Sequence, residues 1–143
     1  LVSHVDFLPT LASLFRVPRK ARKNWQGVDY SRLLKTPEAS GPQEYVVFTF
    51  DDWQSGQANK PYVNGANRIV GVRESRYKLA RYYDPNGEAA DEYELYDLDD
   101  DPLEKRNLAY PGTPRTENQQ RAYARLRNLL VEVERRRLKP GRR

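Results

Sequence analysis

The sequence predicts an α+β fold: a four-stranded antiparallel sheet with a packed C-terminal helix, preceded by a separate N-terminal helix. Three observations predict it. Four short runs rich in β-forming residues, at 44–50, 68–74, 77–83 and 92–98, are separated by turn signals. Near the end, Tyr123, Leu126, Leu129, Leu130 and Val133 recur at helical spacing behind Thr116-x-x-Gln119, a capping-box pattern. At the start, Phe7, Leu8, Leu11, Leu14 and Phe15 share one face of a helix over 2–17.

In that first helix, Ser3-x-x-Asp6 reads as a capping box, but Pro9 would then sit in the second turn and clash with the preceding carbonyl. Asp6 is therefore the preferred N-cap, with Pro9 in the first turn. Pro18 ends the helix, and a basic loop follows at Arg19, Lys20, Arg22 and Lys23. Ser31 to Leu34 suits a single helical turn. Pro37, Gly41 and Pro42 mark a loop. The near-continuous apolar run Tyr45 to Phe50 predicts a strand covered on both faces. Glu74-Ser75-Arg76 joins the next two strands as a short hairpin, and Asp84-Pro85-Asn86-Gly87 is a turn. The N-terminal helix finds no partner in this layer and needs a surface elsewhere.

Composition narrows the chemistry. With 38% hydrophobic and 31% charged residues the core is thin, and no apolar run reaches the length of a membrane span, so no membrane partner is expected. There is no Cys and only one His, His4, which excludes thiolate sites, a Cys nucleophile and any multi-histidine metal cluster within these residues. The net charge of +5 is local: ten basic and three acidic residues lie from Arg115 onward. The chain opens inside an apolar pattern without a Met or a charged leader, and is expected to continue a longer protein.

The densest signal runs from Tyr93 to Leu108, YELYDLDDDPLEKRNL. An alternating strand enters the acidic cluster Asp97, Asp99, Asp100 and Asp101, closed by Pro102. Asp side chains bond nearby backbone N–H groups and Pro ends strand pairing, so this is a capped turn. It lacks the Gly and the distal bidentate Glu of a calcium loop.

Three stretches in order resemble the C-terminal third of a sulfatase of the alkaline-phosphatase superfamily. Ser3-His4-Val5-Asp6-Phe7-Leu8-Pro9-Thr10-Leu11 is similar to the family's S-x-x-D-x-x-P-T-L helix. Arg73 with Arg76-Tyr77-Lys78 is similar to its R-x-x-R-Y-K hairpin. Glu94 to Leu98, through Asp101-Pro102-Leu103-Glu104 to Asn107-Leu108, is similar to a signature near the family's C-terminus. The resemblance implies that residues 1–40 are the tail of the alkaline-phosphatase-like catalytic α/β domain and 41–143 a C-terminal subdomain. It further implies a sulfuric ester hydrolase using a formylglycine from a C/S-x-P-x-R motif and a calcium ion, both expected in an N-terminal part, with a sulfate ester as substrate and the rest of the catalytic domain as partner. No C/S-x-P-x-R motif occurs here, so no catalytic or metal residue is assigned and the segment alone is expected to be inactive.

Asp51 and Asp52 resemble the family's metal-binding pair but follow the S-x-x-D-x-x-P-T-L helix, the wrong chain order; with Trp53 they are candidates for a wall of the substrate cleft. His4 reads as a surface or capping residue. Arg73, Arg76 and Lys78 suit either an anionic ligand or acidic neighbours. Two alternatives remain: the tail of a phosphonate or phosphate monoester hydrolase of the same superfamily, and a stand-alone nucleic-acid-binding module built on the basic C-terminal helix. The apolar stripe of that helix and its lack of an interleaved aromatic platform argue against nucleic acid.

Overall fold

Residues 1–23, 25–51 and 65–137 are described by the computed structural model. They fall into two units, Leu1–Val46 and Val47–Arg143. In the first, a 3-10 turn at His4–Asp6 runs into helix α1 (Phe7–Leu14), and a 3-10 turn at Arg19–Arg22 precedes helix α2 (Ser31–Lys35).

Helix α1 is shorter than expected over 2–17, and both ends have a physical cause. At its start Pro9 does lie in the first turn. Asp6, however, makes no capping bond to that turn. Its carboxylate instead accepts from the Ser3 N–H at 2.6 Å as part of a Ser3–Asp6 capping box, so Ser3 is the N-cap of the leading 3-10 turn and the preference for Asp6 is corrected. At its end Arg16 adopts φ 54, while Val17 N–H bonds Ala12 C=O at 2.8 Å and Arg16 N–H bonds Ser13 C=O at 3.2 Å. That is a Schellman stop with arginine in the left-handed position. Arg22 completes it, donating from Nη1 to Ser13 Oγ at 2.8 Å and from Nη2 to Ala12 C=O at 3.0 Å. The buried side of this region is Asp6, Thr10 and Ala12, whereas Phe7 is 58% and Phe15 77% exposed.

The second unit is a four-stranded antiparallel sheet in the order β1-β2-β3-β4, with β1 Val46–Phe50, β2 Arg68–Arg73, β3 Tyr77–Tyr83 and β4 Glu92–Asp97. Helix α3 (Glu117–Arg137) packs on β2 and β3. The pleat sorts the residues: Val70, Val72, Leu79 and Leu95 are buried, as are Ala122, Leu126, Leu130 and Val133 of the helix. Register is Val72 opposite Leu79 and Leu79 opposite Leu95. α3 begins with the predicted box: Gln119 N–H bonds Thr116 Oγ1 at 3.3 Å and Thr116 N–H bonds Gln119 Oε1 at 3.0 Å. The predicted turn at 84–87 also forms, Asp84 accepting backbone N–H bonds from Asn86, Glu88 and Ala89.

β1 departs from expectation. The apolar run predicted cover on both faces, yet Thr49 and Phe50 are exposed and Val46 to Phe48 only half-buried. Phe48 has a specific role instead. A Cβ on Gly71 would lie 2.1 Å from its ring, so glycine in β2 makes room for the aromatic ring to lie on the strand.

Candidate functional site

The three motif stretches turn out to be joints. Asp6 is fully buried, and its carboxylate accepts from Ser3 N–H at 2.6 Å, Val28 N–H at 2.8 Å and Gln43 Nε2 at 2.6 Å. Thr10 Oγ1 donates to the Asp6 carbonyl at 2.7 Å and accepts from Tyr30 N–H at 3.0 Å. Four residues apart on one helical face, Asp6 and Thr10 therefore pin the 28–30 segment, and Asp6 also holds Gln43. Gly27, at φ +89, lets that segment pass: a Cβ there would lie 2.3 Å from the Val5 carbonyl oxygen.

The second and third motifs interlock. Arg76 forks onto Asp97, Nε to Oδ1 and Nη2 to Oδ2, both at 2.8 Å. Asp97 is 1% exposed and also accepts from Gln119 Nε2 at 3.3 Å, which ties hairpin, turn and the first turn of α3 together. The Arg76 hydrogen bond holds the Asp97 carboxyl below the usual carboxylate range. Lys78 pairs with Glu104 at 2.5 Å and stands over the rings of Phe48 and Tyr96. Two of the three hairpin cations are thus engaged with the acidic turn and its flank, which favours acidic neighbours over an anionic ligand. Glu74, the acid within the hairpin itself, pairs with Arg125 of α3.

Asn107 closes the edge of the sheet. Its Oδ1 accepts from Leu95 N–H at 3.0 Å and Ala109 N–H at 2.8 Å, and its Nδ2 donates to Tyr93 C=O at 3.0 Å. Leu108 N–H adds a bond to Leu95 C=O at 2.8 Å. One side chain stands in for a neighbouring strand. Asn107→Ala strands the N–H of fully buried Leu95 and is expected to cost about 2–4 kcal/mol. Thermal unfolding of the full-length protein checks this; a loss below about 0.5 kcal/mol, the scale of an ordinary surface change, contradicts the strand-mimic role.

Of the predicted cleft-wall residues, Asp52 and Trp53 lie outside the described residues. Asp51 sits just past β1, its side chain 69% exposed, 2.9 Å from Nε of Arg68, whose own side chain is 11% exposed. That contact is an ion pair without hydrogen-bond geometry, and buried Nη1 of Arg68 has no hydrogen-bond partner among the described residues. Arg68 is the residue sequence reasoning missed here: a charge opening an apolar strand was its only signal. His4 begins the first 3-10 turn. Among the described residues no group of three or more His, Cys, Asp and Glu side chains could hold a metal ion, and no helix is long and apolar enough to cross a membrane.

Several cations on and beside α3 are engaged among the described residues. Arg121 pairs with Glu117, Arg125 with Glu74 and Arg136 with Glu132. Arg127 stacks over Tyr93 at 4.5 Å and Arg115 over Tyr123 at 4.9 Å. That use of the charges argues further against a phosphate-tracking surface.

Comparison with known proteins agrees with this geometry. The chain is 35% identical over 105 residues to the Delta 4,5-hexuronate-2-O-sulfatase of Bacteroides thetaiotaomicron, a match covering 73% of this chain and 19% of that protein. It thus spans about a fifth of the length of the curated relative it matches. Among solved structures, a protein in complex with its substrate D-glucosamine-2-N,6-O-disulfate aligns with TM-score 0.65 at 22% identity, over 91% of this chain and 23% of the other. A Bacteroides thetaiotaomicron protein studied for the metabolism of multiple glycosaminoglycans aligns with TM-score 0.58 at 18% identity, over 85% and 24%. Those two likenesses establish the fold alone. The model of the N-sulphoglucosamine sulphohydrolase C-terminal family matches residues 1–135, nearly the whole chain. The chain belongs to that family, and its fold is that of a sulfatase C-terminal domain.

Proposed function

We propose that this chain is the C-terminal portion of a sulfuric ester hydrolase acting on a sulfated glycan, with residues 1–40 closing the catalytic α/β domain and 41–143 forming a small subdomain beside the substrate cleft. The observation that carries the reading is the family match over residues 1–135, joined to 35% identity with a hexuronate sulfatase. No C/S-x-P-x-R motif that could supply a formylglycine occurs in the sequence. The chain has no Cys, and the described residues offer no metal cluster, so formylglycine and calcium both belong to the rest of the catalytic domain on this reading. The apolar side chains that α1 exposes, Phe7, Leu8 and Leu14, are the surface such a domain would cover. Relatives named as sulfatases favour a sulfate ester over a phosphonate or phosphate ester.

Within this function, Asp51, Asp52 and Trp53 form a wall of the cleft, and the Arg68 ion pair holds Asp51 in place. Asp51→Ala in the full-length protein is expected to raise KM for a sulfated disaccharide roughly five- to thirty-fold with kcat little changed, the loss of one polar contact in ground and transition state alike. Turnover of a small aryl sulfate, which cannot reach the wall, should not move. Equal loss on both substrates would show that Asp51 acts on the fold and not on the substrate.

A further inference from the structure

Where Asn107 stops covering the edge of β4, a cleft of about 570 Å³ opens, within the roughly 300–1,000 Å³ range of small-ligand sites. Tyr93, Tyr110 and Tyr123 line it together with Glu92, Glu94 and Asn107. Two of the rings are held: Tyr93 and Tyr123 meet edge to face with centroids 6.5 Å apart, and Arg127 stacks on Tyr93 and donates to its hydroxyl at 3.3 Å. Tyr110 is different. It is 67% exposed, and its ring meets no other ring or cation among the described residues. Glu94 is oriented by the Tyr82 hydroxyl at 3.0 Å, and the Glu92 carboxylate has no ion-pair partner among the described residues. Asp91, also in the lining, is neutralised by Arg81 at 2.8 Å. The Tyr93 carbonyl faces the same side of the strand, where it is bonded by Asn107, so the Tyr93 N–H is turned that way too.

By the pleat Tyr93, against Tyr123, lies on one face of β4 and Glu92 and Glu94 on the other, so the cleft wraps the strand edge. The exposed Tyr110 ring and these acceptor carboxylates suit the C–H face and hydroxyls of a sugar ring, while two carboxylates without cationic partners among the described residues disfavour sulfate and uronate groups. We propose that this cleft binds an uncharged pyranose unit of a glycan chain, with Tyr110 stacking on the ring and Glu92 and Glu94 accepting from its hydroxyls. The proposal leans on the sulfatase reading only for the choice of a glycan; the cleft, its rings and its acids stand without it.

The test titrates the full-length protein with N,N′-diacetylchitobiose, an uncharged disaccharide, and separately with an N-sulfated, uronate-containing disaccharide, by ligand-observed NMR and calorimetry. Chitobiose is expected to bind, with affinity falling at least about five-fold in Tyr110→Ala and again in Glu92→Gln, and recovering in Tyr110→Phe, which keeps the ring. Binding of the sulfated disaccharide should be the same in all variants, and so should the melting temperature, since these side chains are exposed. No chitobiose binding at millimolar concentration overturns the proposal, as it would if the rest of the protein fills the cleft. Binding insensitive to Tyr110→Ala overturns it equally. A full-length protein that hydrolyses no sulfate ester yet keeps Tyr110-dependent chitobiose binding would sink the sulfatase reading and leave this site standing.

Discussion

Gly27→Ala in the full-length protein is expected to destabilise the N-terminal unit by at least about 3 kcal/mol, placing it among the most damaging single methyl additions available in the chain. Two independent costs meet at one atom. The backbone at φ +89 lies in the region that L side chains rarely adopt, which costs about 1–2 kcal/mol. The added Cβ would then lie 2.3 Å from the Val5 carbonyl oxygen and 2.9 Å from Asp6 Oδ1. Neither neighbour can yield. Val5 is part of the 3-10 turn, and Asp6 is buried with three donors on its carboxylate. Moving the 25–30 segment away breaks the Val28 bond to Asp6 and the Tyr30 bond to Thr10. Limited proteolysis and thermal unfolding should show the first unit opening early. A variant that melts within a degree or two of wild type would mean that the Asp6 joint does not organise this unit.

Asp97→Ala is the second large effect expected, about 1–3 kcal/mol, because it removes the buried acceptor shared by the Arg76 fork and the Gln119 amide, while Arg76, 44% exposed, keeps access to solvent. The same pair makes a pH prediction. Asp97 has a folded pKa below its unfolded value near ~3.9, so its contribution is complete above about pH 4–5 and fades as pH falls through the folded pKa. Stability measured from pH 6 downward should therefore drop more steeply in wild type than in Asp97→Asn, which has no carboxylate to protonate. Parallel curves would contradict the assignment. The exposed partners Asp99 and Asp100, 3.7 and 3.6 Å from Arg76, should contribute little when removed singly.

What was legible in the chain was what is local. The pleat of β3 and β4 shows as alternation around Leu79 and Leu95, and the start of α3 shows in Thr116 and Gln119, because partners two or three residues apart leave a pattern that can be read directly. The early end of α1 was not legible. It depends on Arg16 adopting a left-handed conformation and on Arg22 folding back to Ala12 and Ser13, and nothing in the apolar spacing reports either. The joints were named as motifs but not understood as joints. Asp6 meets Val28 and Gln43, Arg76 meets Asp97, and Asn107 meets Tyr93 and Leu95; the partners lie 12 to 37 residues apart. Tertiary hydrogen bonds of that reach carry no periodicity. The place of Asp51 just past a strand was readable, whereas the buried Arg68 that pairs with it was not.

These joints give the three sequence signatures one physical meaning: each fixes a crossing of distant chain segments, so together they preserve the shape of the domain; on the function proposed above, that domain completes an enzyme whose reacting groups lie outside residues 1–143. The most direct measurement is turnover of a sulfated hexuronate disaccharide by the full-length protein, by the same protein ending before Leu1, and by residues 1–143 alone. The account predicts sulfate release by the first and none by either part. Hydrolysis by residues 1–143 alone, or undiminished activity without them, would contradict it.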